Sequence, residues 1–207
     1  MLFPLNQIRA VYNDKTIRVY QAYSDAIADS ALAKNTFQSP AFSMNRMTWI
    51  KPSFLWMMYR CGWGKKEGQN RILAIDVTLD GFQWALEHSC LSHPPHSMSK
   101  QEWEGTKSNT PVRIQWDPER DLFHTPLPYR SIQIGLSKKA VHLYVNEWIH
   151  KITEVTDLSN KIHSLILNGN IQEAKSSLPI ETPYEINLGS SGFRVGDFGP
   201  LAVLNTL

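Results

Sequence analysis

The sequence predicts a single α+β domain in which helices flank a mixed, mostly antiparallel sheet, whole or split. Three observations predict it. Segments with period-two apolar alternation recur at residues 16–20, 111–116 and 130–136. Segments with helical spacing are interspersed, the longest at residues 141–152. One run, residues 71–78, is apolar almost throughout, the pattern of a central strand buried on both faces. A chain of 207 residues, 42% hydrophobic and 19% charged, can bury a full core without staples. The domain is expected over residues 1–178, followed by a loosely packed tail at 179–207.

In chain order, Ile17 and Val19 alternate with Arg18 and Tyr20 as a first strand. Ser24 is placed to cap a helix bearing Ile27, Ala31 and Leu32, and Pro40 ends that segment. Met47 to Ile50 is a short strand, and Pro52 opens a helix over residues 53–60 that Gly62 and Gly64 close. A polar loop at 65–70 leads into the buried strand, and a helical turn or two follows at 81–87. Residues 91–110, rich in Ser, Pro and His, suggest a long surface loop. A strand at 111–116, a charged turn at 117–121, a turn bracketed by Pro126 and Pro128, and a strand at 130–136 come next. Val141, Tyr144, Val145, Trp148, Ile149 and Ile152 then trace the strongest helical stripe, with Ser137 as its cap. Further helices follow at 158–167, closed by Gly169, and after Asn170, with Glu173 completing a capping-box-like start. Gly189-Ser190-Ser191-Gly192 is a flexible stretch within the expected tail.

A net charge of +2 is too mild to imply nucleic acid by itself. Two cysteines, Cys61 and Cys90, make no disulfide framework and suit reduced thiols. The N-terminus lacks the apolar run of a signal peptide, and no segment is long enough to span a bilayer, so a cytoplasmic protein is expected. No P-loop, G-x-S-x-G elbow or G-x-G-x-x-G loop is present, which argues against common kinases, hydrolases and Rossmann dehydrogenases. His88, Cys90, His93 and His96 lie close together without finger spacing, so no metal site is expected.

Residues 46–63 interleave Arg46, Lys51 and Arg60 with Trp49, Phe54, Trp56, Tyr59 and Trp63. Cations among rings suit a ligand carrying phosphate and a flat base. The same composition also suits a buried aromatic helix whose cations snorkel to water. Gln115-Trp116-Asp117-Pro118-Glu119-Arg120 stands at a strand end, either as acid groups with a cationic partner or as a plain charged turn.

The runs IRVYQAYSDAIADSA, RMTWIKPSFLWMMYRCGWGKKEGQ, RILAIDVT, QWDPERD and YRSIQIGL, in this order, resemble the uncharacterised domain-of-unknown-function family numbered 4291. The resemblance covers residues 8–156 and implies a cytoplasmic protein, with no activity attached. The order of elements also resembles ADP-ribosyltransferase-like folds, in which a first strand carries a Tyr-His pair or an Arg, a helix carries a Tyr and a late strand carries a Glu. That likeness implies NAD as the cofactor. Arg18, Tyr20, Gln21, Lys51, Ser53 and Arg60 would bind it, with Tyr59, Gln133 and Glu119 as catalytic candidates. Gln21 stands where the His belongs and Gln133 where the Glu belongs.

Three functions are expected in order. The first is an NAD-binding, ADP-ribosyltransferase-like enzyme acting on a protein or nucleic-acid acceptor. The second is a single-stranded nucleic-acid-binding or RNA-processing module using the same Trp, Lys and Arg surface. The third is a non-enzymatic interaction domain whose aromatics are core.

Overall fold

A computed structural model describes residues 4–94 and 98–185 of the chain. It contains two larger sheets and one small one. Strands β2 (Thr16–Tyr23), β4 (Arg71–Thr78) and β8 (Ile149–Glu154) form an antiparallel sheet in the order β2-β4-β8. Strands β3 (Thr48–Ile50), β7 (Pro126–Leu136), β6 (Val112–Arg120) and β5 (Ser89–Leu91) form the second, antiparallel except for β5 against β6. The short strands β1 (Arg9–Ala10) and β9 (Thr182–Pro183) pair with each other. The fold is α+β, with an open, mixed and mostly antiparallel sheet system.

The apolar run of β4 is central because both its faces are buried. Leu73, Ile75 and Val77 join the core shared with Ile17, Val19, Ile50, Ile114 and Ile134. Ile72 and Ala74 join a second core with Tyr20, Phe54, Met58 and Ile162. Continuous apolarity is what a strand with two covered faces needs. Helices α1 (Asp25–Lys34) and α3 (Leu79–Glu87) contribute to the first core, and α2 (Phe54–Cys61), α6 (Thr156–Leu167) and α7 (Ile171–Ser176) to the second. Ser24 occupies the N-cap of α1 without a side-chain capping bond, whereas the Ser53 hydroxyl accepts from the Trp56 amide and caps α2. Gly62 ends α2 at φ 58°, the left-handed conformation a glycine adopts without strain.

Five expectations are corrected. The loop expected at 91–110 contains a helix, α4 (Lys100–Asn109), begun by a full capping box between Ser99 and Glu102. Trp103 is its single buried residue, so it carries no apolar stripe to betray it. The charged turn expected at 117–121 is the continuation of β6, with the register shifting between Pro118 and Arg120. The turn itself is Asp121–Thr125, where the Asp121 carboxylate accepts from the Phe123 and Thr125 amides, so Pro126 and Pro128 lie within β7. The strongest helical stripe divides into α5 (Lys139–Leu143), a π-helical turn (Tyr144–Trp148) and strand β8. Ile149, Ile152 and Thr153 are β-branched, and pairing with β4 outweighs their helical spacing. Ser137 does not cap α5, because its hydroxyl donates to the Pro111 carbonyl.

Residues 179–185 also pack on the domain. The Phe54 amide donates to the Glu181 carboxylate at 2.6 Å, and the Tyr184 amide donates to the Ile8 carbonyl. The rest of the expected tail, including Gly189-Ser190-Ser191-Gly192, lies outside the described residues. No helix among the described residues is long and apolar enough to cross a membrane.

Candidate functional site

The backbones of the two larger sheets are joined where the Tyr20 amide of β2 donates to the Lys51 carbonyl just after β3. Beside that junction lies a cleft of about 610 Å³. Strand β2 supplies Gln21 and Tyr23 to it, the β3 region Arg46, Thr48, Trp49 and Lys51, helix α2 Arg60, and strands β6 and β7 Gln115 and Gln133. No Asp or Glu lines it among the described residues.

Its cations are unmatched. Lys51 is only 5% exposed, and its Nζ donates to a single protein acceptor, the Trp49 carbonyl at 3.3 Å. Among the described residues, Arg46, Lys51 and Arg60 form no ion pair. Burial pushes the Lys51 ammonium down to about 8 and neighbouring Arg60 adds to the effect, while Cys61 and the Asp117 carboxylate, which make no contact with it, oppose it. A buried cation without a counter-ion is costly unless an anion joins it.

The cleft floor is a closed hydrogen-bond network. Tyr144 donates to Gln21 Oε1 at 2.8 Å. Gln21 Nε2 faces Thr48 Oγ1 at 2.6 Å, the Tyr23 hydroxyl at 2.8 Å and the Trp49 carbonyl at 3.3 Å. Burial raises the Tyr23 and Tyr144 phenols, which stay protonated and hold this network as donors. On the opposite wall, Asp117 takes one amide on each oxygen: Gln115 Nε2 at 2.9 Å and Gln133 Nε2 at 2.6 Å.

Of the residues expected from sequence, Gln21, Lys51, Arg60 and Gln133 come together here. The two glutamines that stand at the His and Glu positions of the ADP-ribosyltransferase likeness thus line one cleft. The others lie elsewhere. Arg18 and Tyr20 alternate with Gln21 along β2 and point to the other face of the sheet. Arg18 there forms a bidentate pair with Asp76 at 2.7 and 2.9 Å, and Tyr20 packs edge-on against Phe54. Tyr59 lies under the Arg120 guanidinium, 3.9 Å from its ring centre, and beside His124. Phe54, Trp56 and Trp63 are buried, so these three rings form no open stacking surface.

Ser53 and Glu119 line a second cavity of about 410 Å³ together with Glu181, Arg9, Tyr129 and several leucines. Burial raises both carboxyls, that of Glu181 to about 8. Glu119 therefore does not face Gln133 across the cleft. His88 stacks on Trp84, and His93 contacts the Ser92 hydroxyl. No group of three or more His, Cys, Asp or Glu converges among the described residues, and His96 lies outside them.

The whole-chain pattern places the sequence in a known family. Residues 7–184 match the family described as "Domain of unknown function (DUF4291)". The chain belongs to that family. A search of the curated proteins finds no match. The DUF4291 match spans every strand among the described residues, so β1, β9 and the cleft belong to one family unit. Within it, sequence reasoning passed over Tyr23, Thr48 and Gln69 as cleft residues and Asp117 as the partner of two glutamines. The Gln115-x-Asp117 spacing on an alternating strand was the one available signal that these two side chains share a face.

Proposed function

We propose that the cleft between the two larger sheets binds NAD, or a close nucleotide relative, as substrate, and that this DUF4291 domain acts as an ADP-ribosyltransferase-like enzyme on a protein or nucleic-acid acceptor. The observation that carries the proposal is Lys51, a buried ammonium facing the cleft beside Arg60 and without a carboxylate partner. A pyrophosphate supplies the missing negative charge, and guanidinium and ammonium groups bind it through charge-assisted hydrogen bonds. Trp49, half-buried on the wall, offers a ring for a flat base. A cleft of about 610 Å³ falls in the range that takes a ligand of this size.

In the transfer, the bond from ribose C1′ to nicotinamide breaks, and nicotinamide leaves as a neutral molecule. The acceptor atom bonds to C1′ and releases its proton to solvent water. Gln133, oriented by Asp117, is placed to hold the reacting ribose or acceptor by hydrogen bonds, not as a base. Glu119 lies in the other cavity and has no part in this scheme.

A thermal-shift screen against NAD, ADP-ribose, ATP and a short single-stranded RNA tests the proposal. A ligand that binds only the folded state raises the melting temperature. The expected result is a rise with NAD or ADP-ribose that saturates. A rise with RNA alone, steeply reduced by salt, would move the function to nucleic-acid binding. No rise with any of them contradicts the proposal.

A further inference from the structure

Asp117 makes an unusual use of two side chains. Gln115 and Gln133 stand directly opposite each other on β6 and β7, and Asp117 lies two residues beyond Gln115 on the same strand. Each carboxylate oxygen takes the amide nitrogen of one glutamine, at 2.9 and 2.6 Å. An ionised carboxylate has no proton to donate, so neither amide can turn its oxygen toward it. Asp117 therefore fixes both amides in the same sense, nitrogen inward to the carboxylate and oxygen outward. No described residue donates to either Gln115 Oε1 or Gln133 Oε1, and neither oxygen is a sealed, unsatisfied atom. Both residues line the cleft.

Opposite cross-strand residues place their side chains about 5 Å apart, so the wall carries two neighbouring acceptors held in one orientation. The facing amide, Gln21, has no such freedom, because Tyr144, Thr48, Tyr23 and the Trp49 carbonyl occupy both its ends. The cleft is thus cationic at Lys51, Arg60 and Arg46 and presents two oriented acceptors, the amide oxygens of Gln115 and Gln133. A ligand that satisfies both regions joins an anion to two adjacent O–H or N–H donors.

We infer that Gln115 and Gln133, locked by Asp117, select a ligand with a ribose cis-diol next to its phosphates. The inference rests on the nucleotide-binding proposal for this cleft and names the feature of the nucleotide that is read. Asp117 is a positioning residue, because it acts through the two glutamines. Both glutamines are half-buried and can reach water when the cleft is empty, so the selectivity is moderate, about tenfold.

Calorimetric titration with inorganic pyrophosphate, ADP, 2′,3′-dideoxy-ADP and IDP tests it. Pyrophosphate reports the cations alone, dideoxy-ADP lacks the diol, and IDP lacks the adenine amine. The expected result is that pyrophosphate binds, ADP and IDP bind alike, and dideoxy-ADP binds about tenfold more weakly. In Asp117→Asn, one of the two amides must turn its oxygen to the new NH₂ group. That variant is expected to bind pyrophosphate no more weakly than wild type while its preference for ADP over dideoxy-ADP falls below about twofold. Equal binding of ADP and dideoxy-ADP by wild type overturns the inference and leaves anion binding standing. Weaker binding of IDP with dideoxy-ADP unaffected overturns the ribose assignment in favour of the base amine. Binding of neither pyrophosphate nor ADP overturns the nucleotide proposal and this inference with it.

Discussion

Lys51 holds an ammonium where water scarcely reaches it and where one carbonyl is its protein hydrogen-bond partner. Burial holds it at about 8 in the folded protein, below the ordinary 10.5 of a lysine. Between those values the unfolded chain binds more protons than the folded one, so this residue makes the ligand-free protein more stable as pH rises from about 8 to 10.5. Below pH 8 its cost is constant. Lys51→Met is therefore expected to stabilise the ligand-free protein at pH 7 by about 1–3 kcal/mol, the usual range for replacing a buried charge by an apolar side chain. Urea denaturation at pH 7 and pH 10.5 checks it: the gain should shrink at the higher pH, and a destabilised variant at pH 7 would contradict the account. Lys51 was visible from sequence as a cation among aromatics. Its lack of a contacting carboxylate was not, because that depends on how the two sheets come together around it. The same holds for Arg18, whose partner Asp76 lies 58 residues away and is set by the register of β2 against β4.

At the scale of elements, the two helix starts near the cleft differ although their sequences read alike. Ser24 and Ser53 each precede an apolar helix, but the Ser53 hydroxyl alone accepts from its helix. Ser53→Ala should cost about 1 kcal/mol, and Ser24→Ala less than about 0.5 kcal/mol. Chemical denaturation of the two variants decides it, and equal losses would mean that the Ser53 cap contributes nothing particular. The four longest strands, β2, β4, β6 and β7, were legible. The apolar run of β4 has the bounds its sequence predicts, since burial on both faces leaves no competing pattern. The stripe from Val141 to Ile152 misled because short apolar runs fit helix and strand alike, and pairing with β4 decided between them. Helix α4 left an opposite trace, with a capping box and no stripe. Asp117 was legible as an acid at a strand end, but its hold on Gln133 needs the cross-strand register of β6 and β7.

For the whole molecule, the segment ending at Tyr184 closes the domain. Glu181 reaches the first amide of α2, and β9 pairs with β1, so the C-terminal part of the family unit is tied to its beginning. Burial raises the Glu181 carboxyl to about 8, above its ordinary 4.5. The folded state then holds more protons between those values, so the contribution of this group to stability is full below pH 4.5 and declines as pH rises through about 8. Glu181→Gln keeps an acceptor for the Phe54 amide and removes the titration. Wild type and variant should melt alike near pH 4.5, with the variant ahead above pH 8 by on the order of 1 kcal/mol. Thermal melts across this range check it, and a constant difference at all pH values would show that Glu181 does not titrate there.

The central claim is that the cleft at the junction of the two sheets holds a nucleotide through Lys51. Calorimetric titration of NAD into wild type and Lys51→Met at pH 7, with both shown to be folded by their melts, tests it most directly. Saturable binding by wild type and a loss of at least about tenfold in the folded variant are expected. Absence of binding by wild type at millimolar NAD, or equal affinity in the two proteins, would contradict it.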